Sequence, residues 1–258
     1  MITIKTAVFI GSGNVATHLA LAMCNAGVNI RQVFSRRIEN ARLLADKLNC
    51  AAVDNIQVIN PDADVYVLAV ADDAIEPLIS LFPFRNRMIL HTSGSTGMDV
   101  LKTGTDQYGV LYPLQTFSRD VPVDFKKAPL CLEVSEPALR EPLESLANLI
   151  SDHVQWVSSE KRRFLHLAAV FACNFVNHMY AQAAEIADNH QLDFAILRPL
   201  IEETARKAMK WDPREVQTGP AKRNDSRIME MHNKMLKDHP DLEKMYNFIS
   251  ESILSQKK

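Results

Sequence analysis

The chain holds only four cysteines, Cys24, Cys50, Cys131 and Cys173, far apart and none in a CxxC pair. That spacing argues against a zinc site or a disulfide framework and fits reduced thiols in a cytoplasm. A strong charge of either sign is also missing: 29 Lys and Arg stand against 31 Asp and Glu, a net charge of −2. Such a balance offers no general attraction to nucleic acid or to an anionic membrane. Long apolar runs are absent too. The longest apolar segment, residues 164–187, is broken by His166, Asn174, Asn177, His178 and Glu185, which speaks against a membrane span. The opening MITIKTAVFIG carries one lysine before a short apolar stretch, too little for a signal peptide. Neither an internal repeat nor a low-complexity tract is found. With 47% hydrophobic and 23% charged residues over 258 positions, the expectation is a soluble cytoplasmic protein of one large or two moderate domains.

What is present begins at the front. In residues 5–27, KTAVFIGSGNVATHLALAMCNAG, an apolar run meets Gly11-Ser12-Gly13-Asn14-Val15-Ala16 and then a helical pattern. Gly11 permits a tight turn, Gly13 lets backbone N–H groups approach a pyrophosphate, and Ala16 is small enough for helix to pack on strand. The first helical turn then offers unpaired N–H groups and a positive dipole end to an anion. These residues point to dinucleotide binding.

Strand and helix signals alternate through the first half. Residues 29–35, 51–53, 64–70, 87–92, 110–112, 130–134 and 154–157 read as further strands. Helices are expected at 37–48, 74–82 and 138–151. Repeated βα units imply an α/β fold, a doubly wound parallel sheet with helices on both faces. After residue 158 the strand signal disappears. A helix over 160–189 would span about 45 Å, and further helices are expected at 194–211, 226–237 and 242–254. The division is therefore 1–157, a nucleotide-binding domain, and 158–258, an all-α domain.

A dinucleotide site that takes NAD carries an acidic residue near the end of the second strand, for the ribose 2′-hydroxyl. Here that strand ends Phe34-Ser35-Arg36-Arg37, with no carboxylate. A hydroxyl and two guanidinium groups suit a 2′-phosphate, which favours NADP(H). Val70 and Ala71, at the end of the fourth strand, should line the ribose and pyrophosphate path, while Asp72 or Asp73 suits the next helix cap.

On the chemical side, the fifth strand ends His91-Thr92-Ser93-Gly94-Ser95-Thr96-Gly97. This loop should lie near the nicotinamide, its Ser93 and Gly94 holding substrate and His91 relaying a proton. His166, Asn174 and Asn177 stand 8 and 11 residues apart, so on a regular helix they fall within about 80° of one another. Such polar groups need a cavity, a partner or each other. His166 and Asn174 are candidate catalytic groups and Asn177 a substrate contact. In TGPAKRND, residues 218–225, Arg223 suits an anionic substrate and Asp225 a helix cap.

The segments GSGNVATHLA, FSRR, HTSGSTGMDVL, GVLYPLQTFS, LHLAAVFACNFVNHMYAQAAEI and TGPAKRND together resemble a bacterial family assigned as NADP oxidoreductases. Its members pair a Rossmann-like domain with a helical domain of unknown function. More distantly the chain is similar to pyrroline-5-carboxylate reductase, deazaflavin-dependent NADP reductase, and the 6-phosphogluconate and 3-hydroxyisobutyrate dehydrogenases. The resemblance implies a helical domain like the C-terminal one of 6-phosphogluconate dehydrogenase, and a homodimer built through it. The hydroxyacid dehydrogenases carry a lysine a turn before an asparagine on the long helix. If Asn174 matches that asparagine, Ala169, Val170 and Phe171 stand where the lysine would be. A carbonyl substrate needs a group to exchange its proton, so His166 or His91 would have to serve, and imine reduction fits better. The expectation is hydride transfer to or from a small anionic imine or carbonyl compound; the alternative is a non-catalytic NADP-binding sensor or assembly protein.

Overall fold

Successive residues of the first strand are buried on both sides, Ala7 and Phe9 against one helical layer and Val8 and Ile10 against the other. That two-sided burial is the mark of a central parallel strand. In the computed structural model, which describes residues 4–256, the strands are β1 (Thr6–Ile10), β2 (Asn29–Phe34), β3 (Ala51–Val53), β4 (Val65–Leu68), β5 (Met88–His91), β6 (Tyr108–Pro113), β7 (Leu130–Val134) and β8 (Val154–Trp156). They form one eight-stranded sheet in the order β3-β2-β1-β4-β5-β6-β7-β8. The helices α1 (Asn14–Asn25), α2 (Ile38–Leu48) and α4 (Arg140–Ile150) cover one face, and α3 (Asp72–Ser80) with the 3-10 turn Met98–Thr103 covers the other.

The Rossmann-type α/β architecture is as expected, with one local difference. β7 runs antiparallel to β6, while β8 returns parallel to β7. A parallel pair requires a crossover, usually helical. Only a short 3-10 turn, Phe125–Lys127, lies between β6 and β7, so the chain turns back along the edge instead.

The expected long helix is present but not regular. It comprises α5 (Ser159–Ala169), a π-helical segment Val170–Phe175, and α6 (Val176–Asn189). Ser158 caps α5 by accepting the Lys161 N–H. The wider π turn shifts the phase of everything beyond it by about one residue position, or about 100°. The single-face relation of His166 to Asn174 and Asn177 assumed unbroken α geometry and does not carry across this segment.

Two compact units result, Met1–Asn174 and Phe175–Lys258. The division falls later than residue 157 because α5 bonds to the sheet: Arg162 and His166 both find partners on it. The second unit holds α6, the 3-10 turn Phe194–Leu197, α7 (Arg198–Lys210), α8 (Pro220–Arg223), α9 (Ser226–Met235) and α10 (Pro240–Ser255). Its α9 and α10 are tied by His232 Nδ1 and the Tyr246 hydroxyl, 2.9 Å apart, and by Asn233 Nδ2 donating to Asn247 Oδ1. Asp225 caps α9 by accepting the Ile228 N–H. Among the described residues no helix is long and apolar enough to cross a membrane.

Candidate functional site

At the carboxyl end of β1 the backbone of Gly11 takes φ +115° and donates its N–H to the Phe34 carbonyl at 2.8 Å. A Cβ at this position would collide with the Ala69 carbonyl and lie 3.1 Å from Val70 Cγ1. Glycine is thus required twice over, by conformation and by the approach of the two central strands. Gly13 has no atom within 4 Å of where its Cβ would be, so the turn is open to solvent at the point where α1 begins. No side chain caps α1, and its first turn holds no acidic residue. Its leading N–H groups are left for an anion. Ser12 and Val15 are half-buried, and exposed Asn14 donates from Nδ2 to the Phe117 carbonyl at 2.9 Å.

On the adjacent strand, β2 delivers Ser35, half-buried, then Arg36 and Arg37, both exposed. Among the described residues neither guanidinium is paired with a carboxylate. Beside the glycine turn, Val70 is half-buried and Ala71 exposed. Ala71 stands at the cap position of α3 and no side chain caps that helix; the Asp72 carboxylate instead accepts a hydrogen bond from the Ser95 hydroxyl. The helix starts two residues earlier than expected, and Asp72, in its first turn, bonds to the neighbouring loop.

That loop, residues 93–97, leaves the carboxyl end of β5. Ser93 Oγ accepts the N–H groups of Ser95 and Thr96, and the Ser93 N–H donates to His91 Nδ1 at 3.1 Å. Gly94 is buried, and a Cβ there would lie 2.7 Å from His166 Nδ1 and 2.8 Å from Tyr112 Cζ. Those two side chains, from α5 and β6, place His166 Nδ1 2.9 Å from the Tyr112 hydroxyl. Burial pushes the Tyr112 phenol up to about 12, helped by Cys131, so it stays protonated at neutral pH. Arg162, one turn before His166, is fully buried and ion-paired with Glu133 of β7. Arg163 is exposed and donates from Nε to the Ser95 carbonyl at 3.0 Å.

Residues 6–91 match the model of the NADP oxidoreductase domain described as coenzyme F420-dependent, and residues 128–253 match a domain of unknown function (DUF2520). A search of the curated proteins returns no match. Among solved structures, a protein of Bacteroides fragilis assigned as an NADP oxidoreductase is 40% identical over 98% of each chain, with a TM-score of 0.93. The chain belongs to this NADP oxidoreductase family. A Thermotoga maritima protein is 22% identical over 97% of each chain with a TM-score of 0.70. A pyrroline-5-carboxylate reductase of Coxiella burnetii, 16% identical, covers 99% of this chain and 97% of its own at a TM-score of 0.59. These two share the fold.

The protein is therefore an NADP-dependent oxidoreductase, and its residues fit that cofactor. An uncapped helix behind a glycine turn suits a pyrophosphate, and two unpaired guanidinium groups after β2 suit a 2′-phosphate. The catalytic expectations separate more sharply. His91 is fully buried, and burial, with Arg162 nearby, pulls its imidazole down to about 4. Its Nδ1 accepts the Ser93 N–H, so one ring nitrogen is committed to the loop. His166 is half-buried against Tyr112 and Gly94, whereas Asn174 is exposed in the π turn. Asn177 and Arg223 are exposed in the second unit.

Sequence reasoning missed Tyr112, Glu133 and Arg162. Tyr112 looked like one more apolar strand residue, and Arg162 sat in EKRR, which reads as a solvated helix start. A weak signal existed: Arg162 and His166 are four apart, so they share a helix face.

Proposed function

We propose that this oxidoreductase reduces the C=N bond of a small anionic imine, with His166 supplying the proton. The observation that carries this reading is the contact between His166 Nδ1 and the Tyr112 hydroxyl, held against Gly94 at the end of β5. The ends of β1, β4, β5 and β6 lie side by side in the sheet. At ordinary strand spacing this sets the glycine turn and Tyr112 about 14 Å apart along one edge. NADPH, when bound, supplies a hydride from its nicotinamide ring.

The chain's own groups do the rest. The 2.9 Å contact between the Tyr112 hydroxyl and His166 Nδ1 orients the ring: in the imidazolium Nδ1–H donates to the phenol oxygen, and once the proton has gone from Nε2 to substrate the ring is held by the same bond. The imidazolium form of His166 hands its proton to the imine nitrogen, and the electrons of the C=N bond end as the nitrogen lone pair once the carbon has taken the hydride. An imine nitrogen is more basic than a carbonyl oxygen and can carry its proton before the hydride arrives, so it needs less acid help, which suits a helix with no lysine before Asn174. Arg163, one turn before His166 and without a carboxylate partner among the described residues, holds the substrate's anionic group. Asn174 is assigned to substrate in the same reading, and Ser93 and Gly94 shape the floor; Asn177 and Arg223 are exposed polar groups of the second unit. Gly11, Ser12, Gly13, Asn14, Val15, Ser35, Arg36, Arg37, Val70 and Ala71 hold the cofactor. The second unit pairs with a second copy of the chain.

The test is NADPH consumption with a set of cyclic imino acids and the matching keto acids. Turnover should be faster with an imine than with its carbonyl counterpart. His166→Gln should lower kcat by about 10²-fold, the scale of a lost general acid, with the NADPH Kd within about twofold by calorimetry. An unchanged kcat would remove His166 from the reaction.

A further inference from the structure

Arg162 heads the fully buried side chains among the described residues, with no exposed surface at all. Arginine is almost never buried this completely unless paired. Here each of its three nitrogens is directed. Nη1 bonds Glu133 Oε2 at 2.5 Å, Nη2 donates to the Thr96 carbonyl at 2.7 Å and to Ser159 Oγ at 3.1 Å, and Nε donates to the Ser93 carbonyl at 3.2 Å. Glu133 is equally committed. Its Oε1 accepts the Ser159 N–H at 2.8 Å, and its Oε2 accepts the Ser159 hydroxyl at 2.6 Å.

A buried ion pair is not the cheapest way to fill a core, because well-packed apolar residues often serve as well or better. What the pair offers instead is geometry. A planar guanidinium presents its donors in a rigid fork, and this fork grips the loop at Ser93 and at Thr96, on either side of Gly94. The Ser93 peptide is held from its other side by His91 Nδ1. Gly94 is thereby set against both rings of the Tyr112–His166 contact.

We propose that Arg162, anchored by Glu133, is a positioning residue: it clamps the 93–97 loop so that Gly94 holds His166 and Tyr112 at hydrogen-bond distance. The inference rests on the proposed proton role of His166, since the clamp acts through that pair and touches no reacting atom.

The variants are Arg162→Lys, which keeps the charge but not the fork, and Glu133→Gln, which keeps the shape but not the charge. With whichever imine the wild type reduces, kcat should fall about 10²-fold in the first and about 10-fold in the second, the cost of a small misplacement. The NADPH Kd should stay within about twofold, because neither residue lies at the glycine turn. In both variants the His166 ring nitrogen resonances should shift and the amides of residues 94–96 should exchange faster. The clamp is overturned if kcat stays within twofold of wild type in both variants, or if the NADPH Kd weakens by the same factor as kcat. If Arg162→Lys does not fold, Glu133→Gln carries the test. Should the wild type reduce none of the imines, the reaction assignment fails on its own. The His166 resonances and amide exchange then judge the clamp, and values unchanged from wild type would sink it.

Discussion

In the proposed reading, one guanidinium separates two cofactors that differ by a single phosphate. Arg36 follows β2, exposed and without a carboxylate partner among the described residues, at the tip where an NAD enzyme would present an acid. A charge-assisted hydrogen bond contributes about 1.5–3 kcal/mol. Arg36→Ala should therefore raise the NADPH Kd by about 10- to 100-fold in calorimetric titration and leave the NADH Kd within about twofold. Equal losses for both would contradict the phosphate role. The turn at Gly11 and the place of Arg36 just after β2 could be read from the sequence because each sits at a fixed offset from a strand end. Tyr112, Glu133 and Arg162 could not, because their partners lie 29–69 residues away and only folding brings them together. The same distance misled the reading of His91, whose polar ring looked available until β4 and β6 closed over it.

Helices and strands were mostly visible as periodicity, and their irregularities were not. β7 followed from an apolar run, but its antiparallel direction depended on a connection with no helix in it. The π turn at Val170–Phe175 left no mark in spacing, because one extra residue per turn changes phase without changing composition. The helices from α5 onward also show what they lack. Of nineteen exposed large apolar side chains among the described residues, fourteen fall from Phe164 onward, Ile196 at 71% and Leu200 at 63% among them. Large apolar side chains exposed on the helices of the second unit suit an interface between copies of the chain. Sedimentation velocity should accordingly show a species of about twice the 29.0 kDa chain mass. The double variant Ile196→Glu with Leu200→Glu should sediment as a monomer; a wild-type monomer at micromolar concentration would refute the pairing.

Across the whole molecule, burying a titratable ring at the end of β5 makes stability depend on pH. His91 falls from 6.5 to about 4 through burial, with Arg162 adding to the effect. Between these values the unfolded chain takes up a proton that the native protein does not, so native stability decreases as pH falls from about 6.5 towards 4. The full shift corresponds to about 3 kcal/mol. Urea unfolding at several pH values should show this slope, and His91→Gln should flatten it whatever its effect at pH 7. Parallel curves for the two proteins would mean that His91 titrates normally.

Local chemistry written along the chain was enough for the Rossmann pattern, the glycine turn, the lack of an acid after β2 and the helical character of the second half. Each rests on neighbours a few residues apart, where hydrophobic period and side-chain type act directly on the backbone. The clamp, the Tyr112–His166 contact, the burial of His91 and the break in the long helix all depend on atoms far apart in sequence. Their energies exist only once the sheet and α5 have packed, because burial and hydrogen-bond geometry are properties of the assembled core rather than of any segment.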